Sequence, residues 1–213
     1  MINSFLWKIH SNVIESTSIL HIENAVPADI RKKIIAEILN YKNLTVDNSG
    51  SETNCWRGHL VRDKVSTENL EYIEKLILTI MQKYDESITK PSSIYINKNF
   101  YERFDISKPL IHTWINVNST NGYNISHNHG GSFLSGVIYL QSTDTGSIEF
   151  EPLNYIYKIN HPVWYYNGTA KYNPNDGDVL IFPSFLMHRV QPNPSDKERI
   201  NIAFNIGFEE NAN

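Results

Sequence analysis

The chain has 213 residues, enough for one well-buried domain and too few for two generous ones. With 40% hydrophobic and 20% charged residues it falls among ordinary globular proteins, away from the disordered class. A net charge of -4 argues against a nucleic-acid footprint, which needs a basic excess, but leaves room for a small basic pocket. No apolar run approaches the ~20 residues of a membrane span. The stretch Met1 to Lys8 lacks a basic segment followed by a long apolar one, so no secretory signal is expected. The single cysteine, Cys55, cannot form an internal disulfide, which fits a reducing, cytoplasmic setting.

Two helices are expected before about residue 90. Pro27 and Asp29 open the first, and Ile30, Ile34, Ile35, Ile38 and Leu39 recur at helical spacing. Ser66 or Thr67 can cap the second, with Glu68 in its first turn and Leu70, Ile73, Leu76, Ile77 and Ile80 as its buried stripe. Pro91 ends this region. The chain then reads as strands: Ile94 to Asn97, His112 to Val117, Ser135 to Leu140, Ser147 to Phe150, Asp178 to Phe182 and Arg199 to Gly207. Asn-Gly, Gly-Gly, Asp-Gly and Pro-Asn-Pro turn signals separate them. The expected architecture is α+β and mainly β, a single domain over 1–213. Within it, 1–92 supply helical support and first strands, and 93–210 form an antiparallel sandwich or barrel.

Three features in the strand-rich part can carry chemistry. In His127-Asn128-His129, residues two apart on an extended strand share a face, so both imidazoles can reach one ion. The turn Asn175-Asp176-Gly177-Asp178 feeds Val179 to Phe182 and then, past Pro183, a single remote His188, a third ligand in reach. In Arg199 to Ile206, Ile200, Ile202, Phe204 and Ile206 alternate with Arg199, Asn201, Ala203 and Asn205. Either that polar face meets water at an edge, or it faces a barrel interior. In the second case Arg199 is a buried cation whose planar fork suits a carboxylate.

This combination resembles the Fe(II)/2-oxoglutarate-dependent dioxygenase superfamily, particularly the prolyl-hydroxylase-like oxygenases of bacteria and phages. The residues that carry the resemblance are His127-x-His129, Ser135-Gly136-Val137-Ile138-Tyr139-Leu140, Gly177-Asp178-x-x-x-Phe182-Pro183, His188 and Arg199-x-Asn201-x-Ala203-Phe204-Asn205. They span roughly residues 110 to 208. The resemblance implies a double-stranded β-helix (a jelly-roll, cupin-like barrel) with N-terminal supporting helices. It implies Fe(II) on His127 and His188, and 2-oxoglutarate whose distal carboxylate meets Arg199 with help from Tyr139. O2 would be the second cosubstrate, and the prime substrate a small molecule or a peptidyl residue that is hydroxylated with release of succinate and CO2.

The superfamily usually has Asp or Glu where this chain has His129. Three readings follow. His129 ligates; or it stands behind the ligands and a carboxylate such as Glu149 or Glu151 replaces it; or His129 opens the motif with Gly131 in the carboxylate position. Cupins share the spacing of Gly177, Pro183 and His188, but generally place a Glu where Phe133 stands. A cupin-like metal enzyme that uses no 2-oxoglutarate, or a metal-free binding barrel, are therefore the alternatives. Asn116 and Asn201 are candidates for contact with cosubstrate. Cys55-Trp56-Arg57 and Trp114 can line the entrance, and the aromatic stretch Tyr155 to Tyr172 can cover it.

Overall fold

The structure is a computed structural model that describes residues 8–14, 17–45, 52–88, 104–151 and 170–210. In chain order the elements are β1 (Lys8–Ile14), β2 (Thr17–Glu23), α1 (Ala28–Asn43), β3 (Glu52–His59), α2 (Thr67–Ile88), β4 (Phe104–His127), β5 (Leu134–Gln141), β6 (Ile148–Phe150), β7 (Ala170–Tyr172), β8 (Val179–Pro183), β9 (His188–Val190) and β10 (Arg199–Glu210).

Both helices form where the apolar spacing places them. Pro27 sits just before α1 with φ -57°, already suited to a helix entry. Ser66 caps α2, its Oγ accepting the Asn69 N–H at 3.4 Å, while its own N–H donates to Glu37 of α1 at 3.0 Å. Ile34 and Ile38 of α1, and Ile73, Leu76, Ile77 and Ile80 of α2, are buried against one face of the sheet. That face carries Ile115, Val117, Ile138, Ile200, Ile202, Phe204 and Ile206. The apolar side of the alternating β10 sequence therefore meets the helices, and its polar side turns inward.

The strands pair antiparallel in the order β1-β2-β8-β5-β10-β4-β9-β6-β7, with β3 also on β4. The fold hinges on β4, whose 24 residues serve both halves of this path. Its first part pairs with β10, Arg199 lying opposite Asn118, and its last residues pair with β9, His127 lying opposite His188. Between them the chain turns over at Asn121, which has φ 63°, and at Gly122. A Cβ on Gly122 would lie 2.5 Å from the Asn54 carbonyl and 2.8 Å from that of Ser119, so only glycine fits this corner. The result is the double-stranded β-helix the sequence implies. A second apolar cluster, with Tyr139, Phe150, Phe182 and Leu186, fills one end of its interior.

The barrel does not begin at residue 94. Three strands come from the first third of the chain: β2 pairs with β8, β1 extends β2, and β3 pairs with β4. Their polar and apolar residues alternate weakly, and the helical stripes beside them gave the stronger periodic signal. The expected strand Ile94 to Asn97 and most of the aromatic stretch Tyr155 to Tyr172 lie outside the described residues, only β7 of the latter being within them.

The Asn175–Asp178 turn is the main joint between β2 and the barrel. The Asp178 carboxylate accepts the N–H of Asn24 at 3.0 Å, the N–H of Asn175 at 2.9 Å and His21 Nε2 at 3.0 Å. Burial raises its pKa, but the hydrogen bonds from His21, Asn24 and Asn175 outweigh that and hold it below the ordinary 3.8. Its stabilising contribution is therefore complete above the ordinary value and is lost as pH falls through the lowered one. Asp178→Ala strands these donors and is expected to cost about 2–5 kcal/mol in urea unfolding at pH 7.

Candidate metal and cosubstrate site

His127 is the last residue of β4 and His188 the first of β9, and the two are cross-strand partners. Their ring centroids are 4.4 Å apart. Each ring is fixed by its own strand. His127 Nδ1 lies 2.7 Å from the Ile125 carbonyl, and His188 Nδ1 lies 2.8 Å from that of Leu186. A carbonyl can only accept, so both Nδ1 atoms carry the proton and both Nε2 atoms present a lone pair. This tautomer is the one a metal needs.

His129 reaches the same place although it lies beyond the end of β4. Its N–H donates to the Ser184 carbonyl at 2.9 Å, which keeps the extended course past the ladder, so that residues two apart still share a face. Its ring centroid is 5.0 Å from that of His127 and 5.2 Å from that of His188. One ligand atom from each of the three histidines lies within 4.8 Å of the others, so the group can hold one metal ion. Imidazole binds first-row metals at about 2.0–2.1 Å, and closing on an ion needs only small side-chain shifts.

Electrostatics favour the neutral, ligating form. Burial lowers the pKa of His188 from 6.5 to about 3, with His127 and His129 adding to the fall against the Leu186 carbonyl. His129 is lowered to about 4 by burial first, then by the charges of His127 and Arg57.

No carboxylate joins this group among the described residues. Glu149, one of the two considered as a replacement ligand, is held by Arg189 through Nε at 2.9 Å and Nη2 at 2.8 Å. Glu151, the other, accepts the Ser126 hydroxyl. Gly131 sits in an open turn at φ +90°, while His127 faces His188 across the ladder. Phe133, at the cupin glutamate position, packs on Phe208 at 5.2 Å between centroids.

All three histidines, together with Arg199, Tyr139, Asn116 and Asn201, line one cavity in the barrel. Arg199 is 1% exposed, and burial lowers its pKa to about 10, which leaves it charged at neutral pH. Its Nη1 donates to the carbonyls of Thr145 at 2.7 Å and Gln191 at 3.1 Å, and its Nη2 to that of Gly122 at 3.2 Å. Backbone carbonyls carry only partial charge, and Nε has no partner. Asn116 donates to Asn201 at 3.0 Å, which leaves the buried Asn116 Oδ1 unpartnered as well. A buried cation with a spare donor beside an orphaned amide is a chemical fit for a small polar anion. Asn118, opposite Arg199 in register, is fully buried with both side-chain polar atoms unpartnered. The sequence reading had passed it over, since an asparagine on a strand carries no signal of its own until the neighbouring strand is known.

The fold is a double-stranded β-helix whose three clustered histidines can hold a metal ion. Residues 112–205, a little under half of the chain, match the family described as "Putative 2OG-Fe(II) oxygenase". These enzymes use Fe(II) and 2-oxoglutarate. The structure is similar in fold to a Pseudomonas putida prolyl-4-hydroxylase (TM-score 0.59, 13% identity, 91% of this chain and 93% of that one). It is likewise similar to HygX from Streptomyces hygroscopicus with nickel and 2-oxoglutarate bound (TM-score 0.61, 12% identity, 91% and 84%). A third neighbour is a Trichoplax adhaerens prolyl hydroxylase in complex with a hypoxia inducible factor peptide fragment (TM-score 0.60, 15% identity, 89% and 83%). No curated protein matches the chain. No helix among the described residues is long and apolar enough to cross a membrane.

A pH dependence follows from His188. The unfolded chain takes up a proton near 6.5 that the folded site refuses until about 3. Stability of the metal-free protein is therefore complete above pH 6.5 and falls as pH drops toward 3. Urea midpoints measured across that range should slope less steeply for His188→Gln than for the unaltered protein.

Proposed function

We propose that the protein hydroxylates an unactivated C–H bond, with Fe(II) on His127, His129 and His188 and 2-oxoglutarate anchored by Arg199. The observation that carries this reading is the shared cavity: three imidazoles at one end, and a buried guanidinium with an unpartnered Nε at the other. When bound, iron and 2-oxoglutarate together supply the oxidising power that spends O2 and releases succinate and CO2.

The chain's own residues bind, orient and exclude water. Arg199 and the Tyr139 hydroxyl take the distal carboxylate. Burial pushes the Tyr139 phenol well above its ordinary value of 10, against the pull of Arg199, so it stays a donor at any working pH. Ile148, Phe182 and Val190 line the same cavity and keep it dry. Three neutral ligands leave a divalent ion with its whole charge of about +2, one more than a carboxylate triad would. That favours a dianionic cosubstrate, and it also favours capture of Zn, Ni or Cu on purification.

Arg199 has two duties, so its test needs two variants. Arg199→Met should weaken 2-oxoglutarate by about 3–5 kcal/mol, read by titrating the absorption band of the anaerobic Fe(II) complex. It should also lower thermal stability, because the carbonyls of Gly122, Thr145 and Gln191 lose their donor. Arg199→Lys keeps a charge for the cosubstrate but not the fork. It should fall between the two, and 2-oxoglutarate affinity unchanged in both variants would refute the assignment.

Metal stoichiometry tests the ligand set. His129→Asp restores the usual triad at the same position and should retain iron, whereas His129→Ala should lose most of it. A mere 10- to 100-fold loss in His129→Ala would make His129 a supporting residue. Iron kept by both His127→Ala and His188→Ala would sink the site altogether.

A further inference from the structure

Among the described residues, Asn118 is fully buried, and neither polar atom of its side chain has a partner. We propose that Asn118 is a specificity-determining residue for the cosubstrate: an uncharged amide opposite Arg199 that leaves the charge of the guanidinium to the distal carboxylate. The inference rests on the oxygenase reading and on its assignment of Arg199.

Strand register and the corner of β4 bring the two residues together. Asn118 on β4 lies opposite Arg199 on β10, and residues directly opposite in an antiparallel pair share a face, with Cβ atoms about 4.5–5.5 Å apart. The Arg199 guanidinium runs on to Gly122, whose carbonyl accepts Nη2 at 3.2 Å. Asn118 flanks that same glycine, since a Cβ there would stand 3.0 Å from Asn118 Cβ. The fully buried Asn193 fastens the corner. Its N–H donates to the Gly122 carbonyl at 3.0 Å, and its Nδ2 donates to the Asn118 carbonyl at 3.2 Å. The backbone of Asn118 is thus held in place, while its amide makes no bond to the fold.

A buried amide without partners is a costly choice. Leucine, of similar size, would remove that cost, and aspartate would meet a cation. The amide therefore answers a demand other than stability. The carbonyls of Gly122, Thr145 and Gln191 already hold Arg199 without carrying a full charge. Tyr139 and Cys55 are the groups whose charge acts on it, and no carboxylate is among them. Asn118 extends this pattern to a side chain. Its dipole solvates the cation as the carbonyls do. A carboxylate at the same place would neutralise Arg199 and remove the reason for a dianion to bind.

The test compares two 2-oxo acids on the full chain loaded anaerobically with Fe(II). One is 2-oxoglutarate; the other is 2-oxopentanoate, which carries a methyl in place of the distal carboxylate. Both can chelate the metal, so the absorption band of the Fe(II) complex reports both affinities, and their ratio reads the distal contact alone. The unaltered protein should prefer 2-oxoglutarate by about a hundredfold or more. Asn118→Asp should cut that preference by about tenfold or more through weaker 2-oxoglutarate binding, with 2-oxopentanoate affinity and iron stoichiometry unchanged. General loosening of the fold would weaken both acids together. Asn118→Leu adds no charge and should keep the preference within about threefold. The proposal is overturned if Asn118→Asp keeps the full preference or weakens both acids alike. It is equally overturned if Asn118→Leu loses about tenfold or more, since the side chain would then act by contact and not by its lack of charge. The leucine result decides by itself where the aspartate variant does not fold. An unaltered protein that binds both acids equally is a different result: it refutes the assignment of Arg199 to the cosubstrate, and the inference falls with it.

Discussion

One buried guanidinium organises this molecule. The three carbonyls that Arg199 ties together belong to three different connections: Gly122 at the fold-over of β4, Thr145 between β5 and β6, and Gln191 just after β9. These are places where the chain passes between the two halves of the barrel, and each carbonyl would otherwise need a donor. Carbonyl dipoles stabilise the cation without neutralising it, so a charge is left inside the barrel with one donor unspent. A fold held together in this way has a standing demand for an anion. Under the proposed function, stability and cosubstrate binding would be two consequences of one residue, and the buried unpartnered amide atoms of Asn116 and Asn118 lie on the neighbouring strand.

The metal end obeys the opposite logic. Here burial removes charge: His188 and His129 are driven toward the neutral form first by desolvation and then by neighbouring charge, that of His127 on both, and backbone carbonyls set the tautomers of His127 and His188. In place of an aspartate the chain keeps three neutral donors. An aspartate would be repelled by no neighbour and drawn to the ion, whereas three clustered imidazoles resist protonation together. The positive charge that a carboxylate would have offset is passed on to whatever else binds.

How far the sequence revealed all this depends on what kind of signal each part leaves. The helices were legible because a single segment carries its own period, as Ile73, Leu76, Ile77 and Ile80 do. The alternation of β10 was legible for the same reason, but which of its faces turns inward was left open until the sheet order was known. The histidine group was legible in part: His127 and His129 are local, but the pairing of His127 with His188 is a matter of register between strands 61 positions apart in the chain. First strands were expected within 1–92, but β1, β2 and β3 could not be placed there, because their partners, not their own alternation, decide them. For the same reason the carbonyl clamp on Arg199 left no trace, since carbonyls are common to every residue and only the fold chooses which three converge.

That difference also marks a division of labour. The histidines, Tyr139, Asn116, Arg199 and Asn201 fall within residues 112–205, the stretch that matches the oxygenase family. Arg57 and His59 do not; they arrive on β3, which joins the barrel by pairing with β4. The histidine group and the buried arginine therefore lie in the segment that matches the family, while β3 adds Arg57 and His59 to the wall of an adjoining chamber. β3 is held to β4 by backbone ladder hydrogen bonds, and its Arg57 is close enough to His129 for its charge to help lower that residue's pKa. A change on β3 is therefore felt at the histidine group through Arg57, although none of the three histidines lies on that strand.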